Sequence, residues 1–322
     1  MKKVFVSGAA GFIGFHLCMQ LKKANHFVIG LDNFNPYYDV SLKNLRANIL
    51  KQNNIEVIKA DINDKKVLEK IIKDNSITHF VHLAAQAGVR FCFENPEVYV
   101  NSNLVGFVNV LEVLKNFKDI KLVFASSSSV YGLNDKIPFS VNDKTDLPSN
   151  LYGATKKANE AIAYSYHHIY KIPMIGLRYF TVYGPYGRPD MAYFKFTKNI
   201  LEEKQIEIYN EGNMQRDFTY IDDIIAGTIS AMDSAKDFKI FNLGNNSPIN
   251  LLDFIDIIEK KLNKKAIKKF KPFQKGEMLA TYADIEESKK ELSFNPTTNI
   301  EDGMEKFIDW YHTFHSYTTN NK

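Results

Sequence analysis

The stretch VFVSGAAGFIG, residues 4–14, decides the fold. A short run rich in β-branched and aromatic residues reads as a strand. Gly8, Gly11 and Gly14 then follow at GxxGxxG spacing, at the start of a helical pattern over 12–24. The first glycine permits a tight turn, the second lets backbone approach a pyrophosphate at the positive helix end, and the third lets helix lie on strand. The next strand ends in GLDN, which places Asp32 18 residues beyond Gly14. A carboxylate there accepts hydrogen bonds from the hydroxyls of an adenosine ribose and repels a 2′-phosphate, so the predicted cofactor is NAD. Asp61, at the end of the third strand, serves either adenine or the cap of the helix that begins near Asp64.

Outward from this stretch, short apolar runs alternate with amphipathic segments. Strands are predicted at Lys3–Ser7, Phe27–Leu31, Ile55–Lys59, Thr78–Leu83, Lys121–Ala125 and Met174–Tyr179, with helices near 12–24, 64–74, 98–117 and 152–170. Strands separated by helices of that length imply right-handed crossovers and a doubly wound parallel α/β sheet of the Rossmann kind. After about residue 180 the rhythm changes. GPYGRPDM is a turn-rich loop, and helices are predicted at 192–204, from YIDDIIAG onward, at 250–263 and at 299–315. The expected division is a cofactor-binding domain over 1–180, with a return segment near 221–243, and a smaller C-terminal α/β substrate-binding domain over 181–322. SYTTNNK reads as a frayed tail.

Composition narrows the function. The 322 residues are 45% hydrophobic and carry 41 basic against 37 acidic side chains, a net charge of +4 too balanced to indicate nucleic acid. The lysine cluster KKLNKKAIKKFK, Lys260–Lys271, reads as a solvated face. Cys18 and Cys92 form no metal or disulfide pattern, no metal site is predicted, and a reducing, cytoplasmic setting is expected. No apolar run approaches the ~18 residues of a membrane span.

Tyr152 and Lys156 in LYGATKKANE lie four apart, on one helix face. A free phenol with a pKa near ~10 is too weakly acidic to be a base at neutral pH. A neighbouring lysine and an oxidised nicotinamide ring favour the phenolate, which can then take a hydroxyl proton as hydride leaves the same carbon. The preceding strand ends in ASSSSVYG, residues 125–132, a row of four hydroxyls.

The glycine loop, the serine edge and the Tyr–Lys pair together resemble the extended short-chain dehydrogenase/reductase superfamily of NAD-dependent sugar-nucleotide epimerases and dehydratases. The similarity covers essentially the whole chain. LDNFNPYYDVSLKNLR, HLAAQAGVRFCFENP, RYFTVYGPYGRPDMA, YNEGNMQRDFTYIDDI and ATYAD look like the UDP-glucuronate 4-epimerases. The chain departs mildly from the family pattern at KGEM, where PGDV is common, and at GPYG, where GPWG is common.

The resemblance implies NAD held by Gly8, Gly11, Phe12, Ile13, Gly14, Asp32, Asn33, Asp61, Ile62, Leu83, Ala84 and Ala85, together with Tyr152 and Lys156. It implies Tyr152 as base, Lys156 as its support, and Ser127, three residues before Val130, as the bridge to the sugar hydroxyl. Ser126 is left to packing or backbone. A UDP-sugar substrate would meet Arg90, Ser128, Ser129, Thr181, Arg188 and Arg216. Arg90 and Arg188 also admit the plainer reading of surface ion pairs. With no arginine near KGEM, Arg216 is expected to take a larger share of the diphosphate. Family members dimerise through two helices per subunit, here 98–117 and 152–170, so a homodimer is implied.

All these enzymes first oxidise C4 of the sugar. A 4,6-dehydratase then needs Asp-Glu before VYG, and a decarboxylase needs Glu there. Ser128 and Ser129 are neutral hydroxyls unsuited to either step. The implied reaction is therefore 4-epimerisation of UDP-glucuronic acid to UDP-galacturonic acid in polysaccharide biosynthesis. Epimerisation of UDP-glucose or UDP-N-acetylglucosamine is the near alternative and decarboxylation the remoter one. A non-catalytic NAD sensor is disfavoured by the intact Tyr–Lys pair.

Overall fold

The computed structural model describes residues 1–273 and 278–320. Seven strands form one parallel sheet in the order β10-β6-β5-β4-β1-β2-β3. In chain order these are β1 (Lys3–Ser7), β2 (Phe27–Asp32), β3 (Glu56–Lys59), β4 (His79–His82), β5 (Lys121–Ser127), β6 (Met174–Tyr179) and, after an excursion, β10 (Phe238–Leu243). Both faces are covered, so the strands read as continuous apolar runs rather than alternating ones. Val4 and Val6 join the core on one face, and Phe5 joins the core on the other.

The crossover helices are α1 (Phe12–Lys23), α2 (Val40–Gln52) and α3 (Lys65–Asn75). Beyond β4 come α4 (Phe91–Glu94), α5 (Pro96–Tyr99) and α6 (Gly106–Leu114), and α7 (Leu151–Tyr170) links β5 to β6. The single helix expected over 98–117 is interrupted by a π-helical stretch, Val100–Val105. An extra residue in that turn aims Asn103 inward. The strand carrying the serine edge runs two residues beyond its expected end, to Ser127, and Ser128–Tyr131 form a 3-10 turn.

The remaining elements are β7 (Thr181–Tyr183), α8 (Ala192–Leu201), β8 (Gln205–Tyr209), β9 (Gln215–Tyr220), α9 (Ile221–Ser234), β11 (Pro248–Asn250), α10 (Leu251–Leu262), β12 (Ile267–Lys271), α11 (Glu286–Leu292) and α12 (Ile300–Asn320). A three-stranded sheet, β11-β9-β7, and a two-stranded one, β12-β8, lie outside the main sheet. The expected return near 221–243 is seen as α9 and β10, which pairs with β6. α12 runs five residues past its expected end, so most of the supposed tail is helical. Lys275, Gly276 and Glu277 of KGEM lie outside the described residues. In the lysine cluster, Lys265 and Lys268 pair with Glu259, and Lys271 pairs with Glu207. No helix among the described residues is long and apolar enough to cross a membrane.

Candidate active site

A cavity of about 880 Å³ opens at the carboxyl ends of β1 and β4, where the order of the large sheet reverses. This switch point is where doubly wound sheets take their ligands. One end is the glycine loop. Gly8 has φ +76° and donates its N–H to Leu31 O at 2.7 Å, and a Cβ on it would sit 2.8 Å from Ala84 N. A Cβ on Gly14 would lie 2.1 Å from Gly8 O, so the third glycine is required for α1 to approach β1. Gly11 caps α1 without a side-chain bond, and no acidic residue lies in its first turn. The helix N–H groups are thus left to an anion.

Asp32 is buried, with Oδ2 accepting from Ala10 N (3.2 Å) and Oδ1 from Phe34 N (2.8 Å). Asn33 Nδ2 donates to Asp61 Oδ2 at 2.8 Å, while Asp64 caps α3. Asp61 is therefore not the cap, and it lines the cavity with Ile62 and Leu83–Ala85. The glycine cradle, the open helix end and the buried Asp32 carboxylate that lines the cavity fit a dinucleotide such as NAD.

The serine edge and α7 form the middle. Asn150 caps α7 by accepting from Gly153 N at 2.9 Å, which starts the helix at Leu151, one residue before Tyr152. Ser127 Oγ accepts from Ser129 N (3.1 Å) and donates to Ser129 Oγ (3.2 Å). Ser126 does more than pack: its hydroxyl donates to Glu160 Oε1 at 2.6 Å. Burial raises the Tyr152 phenol above its ordinary pKa, while the nearby Arg188 charge and a hydrogen bond with Ser127 draw it back. Lys156 makes a contact that no motif announced. Its Nζ donates to Ala125 O at 2.8 Å, and burial lowers it to about 8. The Arg188 charge favours the phenolate.

The far end is lined by Thr181, Arg188, Lys195, Tyr209 and Arg216. Arg188 forms a two-pronged pair with Asp190, Nε–Oδ1 at 3.0 Å and Nη2–Oδ2 at 2.5 Å, and Tyr37 Oη donates to the same carboxylate at 3.1 Å. The Arg90 guanidinium lies 4.6 Å from the centre of the Tyr209 ring. Arg90 and Arg188 are thus cavity residues with neighbours of their own. Arg216 Nη1 donates to Gln215 O (2.8 Å) and Leu279 O (3.3 Å).

Several site residues escaped the sequence reading. Asn103 accepts from Gln86 N (2.8 Å) and donates to Gln86 O and Thr155 Oγ1 (both 3.0 Å), tying the Leu83–Gly88 segment to α7. The signal was an asparagine on an apolar helix face. Asp217 takes backbone N–H groups from Asn245, Asn246 and Ala283 and so anchors the strand that carries Arg216. His82 is buried and neutral, lowered to about 3 by burial and then by the Lys156 charge, with Nδ1 2.8 Å from Ser7 Oγ. Lys195 supplies a cation lining the same cavity as Arg216 that no motif announced.

Comparison with known proteins agrees with this geometry. The family model described as "NAD dependent epimerase/dehydratase family" matches residues 4–244. UDP-glucuronate 4-epimerase 4 of Arabidopsis thaliana is 50% identical over 331 residues, covering 97% of this chain and 76% of that protein. Protein CapI of Staphylococcus aureus is 45% identical, covering 96% and 98%. Among solved structures, UDP-glucuronic acid 4-epimerase from Bacillus cereus, in complex with UDP-glucuronic acid and NAD, superposes with a TM-score of 0.91 at 37% identity, covering 97% of this chain and 99% of that one. With a doubly wound sheet, a glycine cradle at its switch point and a Tyr–Lys helix beside it, the chain belongs to the NAD dependent epimerase/dehydratase family.

Proposed function

We propose that the protein is a UDP-glucuronate 4-epimerase that interconverts UDP-glucuronic and UDP-galacturonic acids. The observation that carries this reading is the edge of β5. Ser126–Ser129 are four buried serines with no acidic residue among them, and they line one cavity with Tyr152 and Arg188. When bound, NAD would accept a hydride from C4 of the sugar and return it to the opposite face. Tyr152 takes and later restores the C4 hydroxyl proton, through or beside Ser127. Lys156, anchored on Ala125 O, holds the ribose side of the cofactor pocket.

The 4-keto sugar is a β-keto acid, so its carboxylate is lost if the C–C bond aligns with the ketone π system. Ser128, Ser129, Thr181 and Arg188 can hold that carboxylate by charge-assisted hydrogen bonds in another orientation. Arg216 and Lys195 face the diphosphate, and Arg90 closes the sugar side.

A neutral UDP-sugar gains some support from the pairing of Arg188 with Asp190, which offsets the cation that would select a uronate. Incubation with UDP-glucuronic acid, UDP-glucose and UDP-N-acetylglucosamine separately, followed by resolution of the products, decides between them. Conversion of the neutral sugars alone overturns the proposal, and release of carbon dioxide indicates a decarboxylase instead.

The same reading extends to organisation. Residues 1–180 with the return 221–243 would form the NAD-binding domain, and 181–322 the sugar-nucleotide domain. Exposed Val100, Val105 and Tyr164 on the segments 98–117 and 152–170 support a homodimer through those helices. A cytoplasmic enzyme supplying galacturonate for polysaccharide biosynthesis fits the substrate.

A further inference from the structure

The loop that follows β7 carries Arg188 into the cavity that Tyr152 also lines, and the three carbonyls before Arg188 all meet donors from helices of the large sheet. His16 on α1 stands with Nε2 2.9 Å from Pro185 O. Burial, and after it the charge of Arg46, lower this imidazole to about 4, so it is a neutral donor. Arg46 on α2 donates Nε (3.1 Å) and Nη2 (2.6 Å) to Tyr186 O, and Nη2 also to Gly187 O (3.1 Å). Its Nη1 reaches Ala10 O, inside the glycine loop, at 3.0 Å and Tyr38 Oη at 2.8 Å.

These contacts use the whole donor fork of a guanidinium. Arg46 is fully buried, and all five acceptor contacts are with neutral oxygens. Keeping a cation there without a carboxylate is costly, which makes a packing role a poor explanation. Tyr186 sits at φ +56°, a left-handed conformation that a non-glycine residue keeps only when its surroundings hold it. Gly187 has no room for a Cβ, which would lie 1.9 Å from Tyr193 Oη. The loop therefore has one register, and the donors that set it come from the cofactor side.

We propose that Arg46 is a positioning residue that places Arg188 beside Tyr152 and joins the substrate loop at Pro185–Arg188 to the dinucleotide loop through Ala10. This rests on Tyr152 being the base of the proposed reaction. The two loops are then one mechanical unit, so whatever loosens one disturbs the other.

The test compares Arg46→Lys and Arg46→Met with the wild type. Lysine keeps the charge but cannot span Ala10 O and Gly187 O together, and methionine loses both features. Two quantities are measured: the dissociation constant for NAD, and the acid limb of the kcat–pH profile. The groups around the phenol are Ser127, Lys156, Tyr99 and Arg188, and Arg188 alone among them is carried by this loop.

Arg46→Met is expected to bind NAD about tenfold more weakly. In both variants the acid limb moves up by about half a pH unit, because the Arg188 charge no longer favours the phenolate. An acid limb that stays in place while only thermal stability falls overturns the positioning role. Unchanged NAD affinity in Arg46→Met overturns the link to the glycine loop. Arg46→Lys carries the comparison if the methionine variant does not fold. A wild type that turns over no UDP-uronate counts against the reaction, while the NAD measurement still tests Arg46.

Discussion

Glu160→Gln probes the buried pair that fixes the catalytic helix to the sheet. Glu160 follows Lys156 by four residues, as Lys156 follows Tyr152, so all three lie on one face of α7. Its carboxylate accepts from Arg178 Nε (2.8 Å) and Nη2 (2.9 Å) and from Ser126 Oγ (2.6 Å), and both charged side chains are only 4% exposed. Arg178 Nη1 continues the chain to Tyr131 Oη at 3.0 Å, and that hydroxyl donates to Asn242 Oδ1 at 2.6 Å. Glutamine keeps the shape but strands a desolvated guanidinium against a neutral amide, which costs about 3–5 kcal/mol. Unfolding entropy of about 2.1 cal/mol/K per residue gives about 0.7 kcal/mol/K for a chain of this length, so Tm should fall by about 4–7 °C. Circular dichroism melts at a fixed scan rate, without NAD, measure this. Replacing both partners, Glu160→Met with Arg178→Met, should recover part of the loss because no buried charge remains. A single variant within about 1.5 °C of the wild type refutes the reasoning, as does a double variant less stable than the single.

Gly14→Ala adds a methyl 2.1 Å from Gly8 O, so NAD affinity measured by calorimetry should drop at least about a hundredfold, although alanine is the better helix former. Ser129→Glu should slow epimerisation by setting a carboxylate against that of the substrate, and an unchanged rate with full retention of the sugar carboxylate would count against the role of Ser129. Acid should destabilise the fold through His82, lowered to about 3, and His16, lowered to about 4. Because these folded-state values lie below the ordinary ~6.5, stability is complete above that pH and is lost as pH falls towards them, about 2 kcal/mol per group at pH 5. Melts at pH 7 and pH 5 measure the loss, and His82→Gln should remove about half of it.

How much of this was legible in the chain depended on what each element buries. β1 and β6 were readable to the residue because both faces of each are covered by apolar side chains. α2 was not anticipated, although LDNFNPYYDVSLKNLR was singled out as family-like. Its buried face is Leu42, Lys43, Arg46 and Leu50, and two cations in that set break the apolar periodicity that marks a helix. Those same cations reach Asp32 and the Pro185–Arg188 loop. The segment hid its structure because its interior is polar for functional reasons. The helix over 98–117 was seen, but its π-helical interruption was not, since one extra residue in a turn leaves the hydrophobic pattern almost unchanged. β12, IKKFK, is exposed and lysine-rich, and only its pairing with β8 makes it a strand.

Site residues divide along a related line. Motif spacing located the groups that act alone, such as Gly8, Gly14 and Tyr152, because their roles follow from backbone shape or from one helix turn. It could not supply partners brought in from distant elements. Arg188 reads as a free substrate cation until Asp190 is seen on it, with Tyr37 on the same carboxylate, and the motif gives no sign of the bond from Lys156 to Ala125 O. Each partner changes what the residue can do. A guanidinium gripped by Asp190 through Nε and Nη2 keeps Nη1 out of that pair, so it can still bond a carboxylate but with much of its net charge offset. Selectivity for a uronate over a neutral sugar would then rest on hydrogen-bond geometry shared with Ser128, Ser129 and Thr181 more than on charge. Such a site discriminates because a sugar lacking the carboxylate leaves several aligned donors unmet. That cost depends on the donors being held in place, which is why the restraints on the Pro185–Arg188 loop bear on specificity as directly as the arginine it carries.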